Sequence, residues 1–261
     1  MTKTDVDKAR GNSVTRKNEL VRTIYQPMNI MATRLLSLVF SRIKIDDKCM
    51  GTHEIHIKDY AAIFDVNPAQ QYKNIVKVMK CYNDNALQFR FPGTKRVVWI
   101  PWFSKAEYDP DKCVLILKVN EELKPYFFKF KNDFTQYQIE NIIKLRSAHA
   151  LRLYEIMKCE QFKCKYAQVK KGEREKLVYI DYFDLRGELG IAEEKYKFAG
   201  NFAQAVIQES VKSINRHTDI NVTYDIKKNM RKIVGFSFDI TEGTSDATEE
   251  PSEEFFGGEH D

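Results

Sequence analysis

From residue 184 onward the apolar positions change period three times. Asp184-Leu185-Arg186-Gly187-Glu188-Leu189 has an acid near its start and stops at Gly190, which predicts a short helix. Beyond a polar connector, Phe202, Val206, Ile207, Ser210, Val211 and Ile214 recur at three- and four-residue steps. They predict a second helix with one apolar or small face. Its opposite stripe, Lys197, Asn201, Gln204, Gln208 and Lys212, keeps the same steps but carries only hydrogen-bonding and cationic side chains. Alternation takes over at Ile220, Val222, Tyr224, Ile226 and again at Val234, Phe236, Phe238, Ile240, predicting a hairpin with one buried face. Its turn, Lys227-Lys228-Asn229-Met230-Arg231-Lys232, carries four cations. Helix, turn, helix and basic hairpin is the order of a winged helix, the basic hairpin being the wing.

The same order occurs upstream. A short strand is expected at 19–25, and a core helix over Ile30, Met31, Leu35, Leu38, Val39 and Ile43. His53-Glu54-Ile55-His56-Ile57 alternates as a strand, and short and long helices follow at 59–64 and 69–82. In the longer helix Tyr72, Ile75, Val76 and Met79 are expected inside, with Gln70, Lys73, Lys77 and Lys80 outside. Strands at 87–91 and 97–103 flank the turn Pro92-Gly93-Thr94-Lys95, which Arg96 follows, and 113–119 is a further strand. The stretch Asp59 to Val66 repeats the apolar pattern of Asp184 to Ile191. Helices are expected at 120–128 and 135–145, and a loop at 165–176. The expected fold class is therefore α+β: two tandem winged helices in one chain, with a flexible N-terminal arm and an acidic C-terminal tail. The expected boundaries are 1–16 for the arm, 17–130 and 131–241 for the winged helices, and 242–261 for the tail.

Charge sharpens this picture. The net charge of +5 conceals eight Asp or Glu and no Lys or Arg in residues 242–261. The 37 anions less these eight leave 29 against 42 cations, or +13 for the body. A body that basic attracts polyanions in a salt-dependent way. Asn and Gln pair bidentately with the adenine edge in the major groove, and a cationic wing tip sits where phosphates lie. The bland alternative for the stripe is a solvated helix face.

Other chemistry finds little support. The five cysteines (Cys49, Cys81, Cys113, Cys159, Cys164) include no C-x-x-C, so reduced thiols are expected and no metal. No apolar run approaches the length of a membrane span, and residues 1–12 lack a signal peptide's apolar core. A cytoplasmic protein with no membrane partner is expected. There is no G-x-x-x-x-G-K-[ST] and no nucleophile elbow, and on a strand His53 and His56 point to opposite faces. No catalytic residue and no cofactor are expected. Trp99, Trp102 and Phe103 suit either core packing or stacking on single-stranded bases.

Phe134-Thr135-x-Tyr137, Leu145-x-Ser147, Leu151-Arg152-Leu153-Tyr154-Glu155, Asp184-Leu185-x-x-x-Leu189-Gly190 and Thr218-Asp219-Ile220 resemble, in order and spacing, the iteron-binding plasmid replication initiators of the Rep_3 type. The likeness covers roughly residues 17–241 and is strongest after Phe134. It implies a double winged-helix protein that binds direct repeats of double-stranded DNA at a plasmid origin as a monomer. Such a protein helps to melt the duplex and recruits host replication initiator and helicase proteins. As a homodimer joined through the first winged helix it represses its own gene. By the resemblance Asn201, Gln204 and Gln208 read bases, while Lys197, Lys212, Lys227, Lys228, Arg231 and Lys232 hold phosphates. The first winged helix adds Gln70, Lys73, Lys77, Lys80, Lys95 and Arg96. Where the family commonly has Gly-Arg-Lys, this chain has Met230-Arg231-Lys232, and Asn229 is expected to take the left-handed turn position. The alternative function is a two-domain winged-helix transcriptional repressor that never opens DNA; it needs the same recognition surface.

Overall fold

The computed structural model describes residues 2–25, 28–90, 93–129, 132–166, 178–192 and 194–243. The acidic tail beyond Gly243 and most of the loop expected at 165–176 lie outside the described residues.

The opening segment departs from the expected arm. Helix α1 (Lys3–Gly11) starts with a capping box between Thr2 and Asp5, and strand β1 (Ser13–Lys17) follows. Val14 is fully buried, and Arg10 donates to the carbonyls of Ala62 and Ile63 and to the Asp65 carboxylate. Arg10 thus finds its partners more than fifty residues along the chain. The expected strand at 19–25 is instead a turn of helix, α2 (Asn18–Val21). Helix α3 (Ile30–Phe40), capped by the Asn29 carboxamide on the Ala32 N–H at 2.8 Å, is buried from Met31 to Phe40. Next come β2 (Thr52–His56), α4 (Ile57–Ile63) and α5 (Pro68–Asp84), the last with Asn67 as cap and proline in its first turn. Val76 on α5 does not face inward as the period predicts; it is 77% exposed, leaving Ile75, Val78 and Tyr82 as the buried positions.

Four strands follow, β3 (Ala86–Arg90), β4 (Val97–Pro101), β5 (Phe103–Asp109) and β6 (Val114–Val119). After a tight 3₁₀ turn, Glu121–Tyr126, the helix expected at 135–145 is split between a strand, β7 (Phe134–Gln138), and a single turn of helix, α6 (Glu140–Ile143). Thr135 and Tyr137 alternate inward while β7 pairs with β1, so β-favouring side chains and an available edge override the helical reading. Helix α7 (Ala148–Tyr166) leads to β8 (Val178–Asp181) and α8 (Tyr182–Glu188). A helix in three consecutive pieces comes next: α9 (Ala199–Phe202), a π-helical stretch Ala203–Gln208, and α10 (Glu209–His217). The wing strands β9 (Ile220–Asn229) and β10 (Lys232–Glu242) complete the order.

The internal repeat is real in three dimensions. Sheet order is β2-β6-β5 in the first copy and β8-β10-β9 in the second, all antiparallel. In both, a strand leads directly into a short helix that ends in the same left-handed turn. Asp65 (φ 49°) stands where the second copy has Gly190 (φ 64°). The Val66 N–H closes onto the Ala61 carbonyl at 3.0 Å as the Ile191 N–H closes onto that of Arg186 at 2.9 Å. The hairpin β3–β4 is a separate two-stranded sheet inserted into the first copy only.

Helix α7 joins the two copies. It packs on α2 and α3 on one side and on α10 and β10 on the other, and every residue from Leu151 to Met157 is buried. The polar residues of that stretch, Arg152, Tyr154 and Glu155, are therefore enclosed, and all three are partnered. Arg152 donates to the carbonyls of Glu188 (2.8 Å), Thr23 (3.1 Å) and Val21 and pairs with Glu155. Glu155 also accepts from the Tyr137 hydroxyl at 2.6 Å and pairs with Arg16. Arg22 bridges Glu160 on α7 to Glu188 at the end of α8.

Candidate nucleic-acid interface

The three-piece helix 199–217 is fixed on its inner side and at both ends. Phe202, Val206, Ile207, Ser210, Val211 and Ile214 are all buried, as the period predicts. Four-residue steps from 202 to 214 overshoot the α-helical repeat by about one residue in total. The π-helical stretch absorbs that excess and keeps one face on the core. At the entry, the buried Arg186 guanidinium gathers the connector by donating to the carbonyls of Ala192 (3.1 Å), Lys195 (2.8 Å) and Tyr196 (3.2 Å). It lies over the rings of Tyr182 and Phe202. At the exit, Thr218 closes onto the Ile214 carbonyl, and Asp219 accepts from the Tyr154 hydroxyl (2.8 Å) and the Lys158 ammonium (2.9 Å) of α7. Asn215 bonds both backbone groups of Val222, which sets the wing against the helix.

On the outer side Asn201, Gln204 and Lys212 are exposed and Gln208 is half-buried. Lys197, expected on the same stripe, is exposed but lies in the connector, two residues before the helix starts. The Lys212 ammonium pairs with Glu209 at 2.9 Å, so the outer face also carries a carboxylate. In the wing, Lys228, Arg231 and Lys232 are exposed, and half-buried Lys227 lies 3.8 Å from the Asp225 carboxylate. The pairing of Asn229 with Lys232 leaves a two-residue turn, in which Met230, not Asn229, takes the left-handed conformation (φ 53°). Lower in the wing a bulge lies between Ile233 and Gly235. Gly235 is required there, because a Cβ would stand 2.6 Å from the Ile180 carbonyl oxygen and the Tyr179 ring.

In the first copy Gln70, Lys73, Lys77 and Lys80 are exposed along one side of α5, and Lys95 and Arg96 are exposed in the β3–β4 turn. The hairpin in the wing's topological place, however, is β5–β6. Its tip is acidic: Asp109 accepts from the N–H groups of Asp111 and Lys112, and the Lys112 bond chiefly holds its carboxyl below the usual range. Trp102 is a core residue between the rings of Tyr25 and Phe40, whereas Trp99 on β4 is 62% exposed.

The structure adds cations that the sequence pattern does not single out. Lys144 and Arg146, just before the start of α7, and Arg216 near the end of α10 are exposed, and none pairs with a carboxylate among the described residues. Burial first, then the field of Arg216, Lys144 and Arg146, pushes the His217 imidazole below its ordinary value. Their signal is spatial: the three come from segments about 70 residues apart. Among the described residues no group of three His, Cys, Asp or Glu side chains is placed to hold a metal, and Cys49, Cys81, Cys113 and Cys159 form no disulfide. No described helix is long and apolar enough to cross a membrane.

Comparison with known proteins agrees with this architecture. An uncharacterized 27.6 kDa protein of Escherichia coli is 23% identical over 225 residues, covering 82% of this chain and 89% of its own length. The Pi initiator protein, solved in complex with iteron DNA, superposes with a TM-score of 0.68 at 18% identity, over 91% of this chain and 99% of that one. At that identity the likeness is one of fold. The family "Initiator Replication protein, WH1" matches residues 13–158, and "Initiator Rep protein, WH2" matches residues 183–240. With two winged helices matched over most of its length, the chain belongs to the initiator replication protein family.

Proposed function

We propose that this chain initiates replication by binding direct repeats, or iterons, in double-stranded DNA at a plasmid origin in the bacterial cytoplasm. The observation that carries the reading is the exposed Asn201–Gln204 face on a helix clamped at both ends beside a cationic wing. Fold likeness to an initiator solved on iteron DNA supports it. In this reading Asn201 and Gln204 read base edges, with Gln208 contributing less because it is half-buried. Lys197, Lys212, Lys227, Lys228, Arg231 and Lys232 hold phosphates, and Gln70, Lys73, Lys77, Lys80, Lys95 and Arg96 serve a second stretch of backbone. The bound chain promotes origin opening and recruits host replication initiator and helicase proteins. As a homodimer through the first winged helix it represses its own gene.

Footprinting on the DNA flanking the gene tests this. Several head-to-tail protected repeats, each about two helical turns long, are expected. A single inverted repeat instead marks a transcriptional repressor. The wing assignment has its own measurement: Arg231→Ala with Lys232→Ala weakens binding to all sequences alike and flattens the log–log salt slope by roughly 0.9 for each phosphate that is no longer neutralised. An unchanged slope means that the tip points into solvent.

A further inference from the structure

The tip of the wing holds a side chain that serves no purpose in the fold. Met230 is 93% exposed, and its backbone lies at φ 53°, a conformation that glycine adopts freely and L side chains resist. A large apolar group therefore stands in water, on a strained residue, at the extreme end of the hairpin. Around it Lys228, Arg231 and Lys232 are all exposed. The supporting strand β8 pairs only with Gly235–Phe238 of β10. Met230 thus projects beyond the three-stranded sheet by five residues, about 16 Å at the rise of a strand. Cations deliver such a tip to phosphates, and the unbranched, polarizable thioether then lies between the two backbones that line a groove.

Resting on the DNA-binding reading above, we propose that Met230 is an apolar wedge that enters the minor groove beside the major groove read by helix 199–217. There it partly unstacks a base step and bends the bound duplex. The arrangement suits the task on three counts. Met is among the side chains that wedge between base steps, exposed cations stand on either side of it in the hairpin, and the two-residue turn presents one side chain ahead of all others. The wedge would give an initiator a local distortion at each repeat without any chemical step.

The experiment uses the full chain and a duplex recovered by selecting random DNA with that chain. The duplex carries end-labelled dyes and 2-aminopurine at successive positions. The parent chain is expected to bend it by roughly 20–90° and to brighten 2-aminopurine at one step. Met230→Gly and Met230→Gln are expected to bind within about threefold of the parent, since phosphate contacts are kept, yet to lose most of the bend and the brightening. Met230→Leu keeps both. Met230 touches no core residue, and glycine suits its backbone, so folding is not at stake. A parent chain that binds without distortion, or a Met230→Gly chain that distorts as the parent does, overturns the wedge alone. A parent that recovers no sequence at all overturns the reading of the previous subsection instead.

Discussion

Replacing Arg152 by Met is expected to lower folding stability by about 3–5 kcal/mol, the cost of breaking a buried ion pair from one side. The side chain is 2% exposed, and its guanidinium satisfies three carbonyl oxygens and the Glu155 carboxylate while lying 4.8 Å over the Tyr25 ring. Methionine fills the volume but leaves those oxygens dry and without donors, which is more costly than never having made the bonds. Glu155 keeps Arg16 and the Tyr137 hydroxyl, so the site is weakened without being emptied. Arg152→Lys should recover part of the loss, because an ammonium keeps the charge but does not reach four acceptors in one plane. Denaturant unfolding read at constant slope measures both variants. A loss below about 1 kcal/mol for Arg152→Met means that the network is replaceable packing. The expected scale is large because α7 sits between the two winged helices, and no single copy of the repeat encloses it.

Asn201→Ala and Gln204→Ala are each expected to cost about 1–3 kcal/mol at one base position, or about five- to 150-fold, with binding to random DNA almost unchanged. Both side chains stand on the outer face opposite Phe202 and Val206, whose burial fixes the helix against its sheet. Selection from random DNA with each variant reads the effect position by position. If both variants return the parental motif, the outer face of this helix does not read bases. Gln208→Ala should give a smaller change, since that side chain is half-buried at the end of the π-helical stretch.

The motifs that carry the family resemblance prove to be scaffold. Thr135 bonds Asn18, and Tyr137 and Arg152 converge on Glu155. The Leu145 carbonyl accepts from buried Arg34, and Ser147 caps α7. Tyr154 holds Asp219, and Gly190 makes the left-handed turn after α8. These residues are legible as a pattern because each has one geometric solution within the fold. The residues proposed to face DNA lie outside the motifs, on faces that the fold leaves open.

What the sequence determined by itself is whatever depends on local period. The apolar steps of 202–214, the alternation of 220–224 and the eight-residue repeat at 59–66 and 184–191 follow from backbone geometry plus one buried face and are found in the structure. Ile226, expected on that buried face, is instead exposed where the hairpin runs beyond the core. What only the tertiary structure decided is where polar and ambiguous residues find their partners. The opening segment became helix and strand because Arg10 reaches Asp65 and β1 meets β7. Arg186 became the clasp of the connector, and β5–β6, not β3–β4, took the wing's place in the first copy. Lys144, Arg146 and Arg216 became one field. Period is written in neighbouring residues, whereas a hydrogen bond or a shared potential joins residues whose distance along the chain carries no signal.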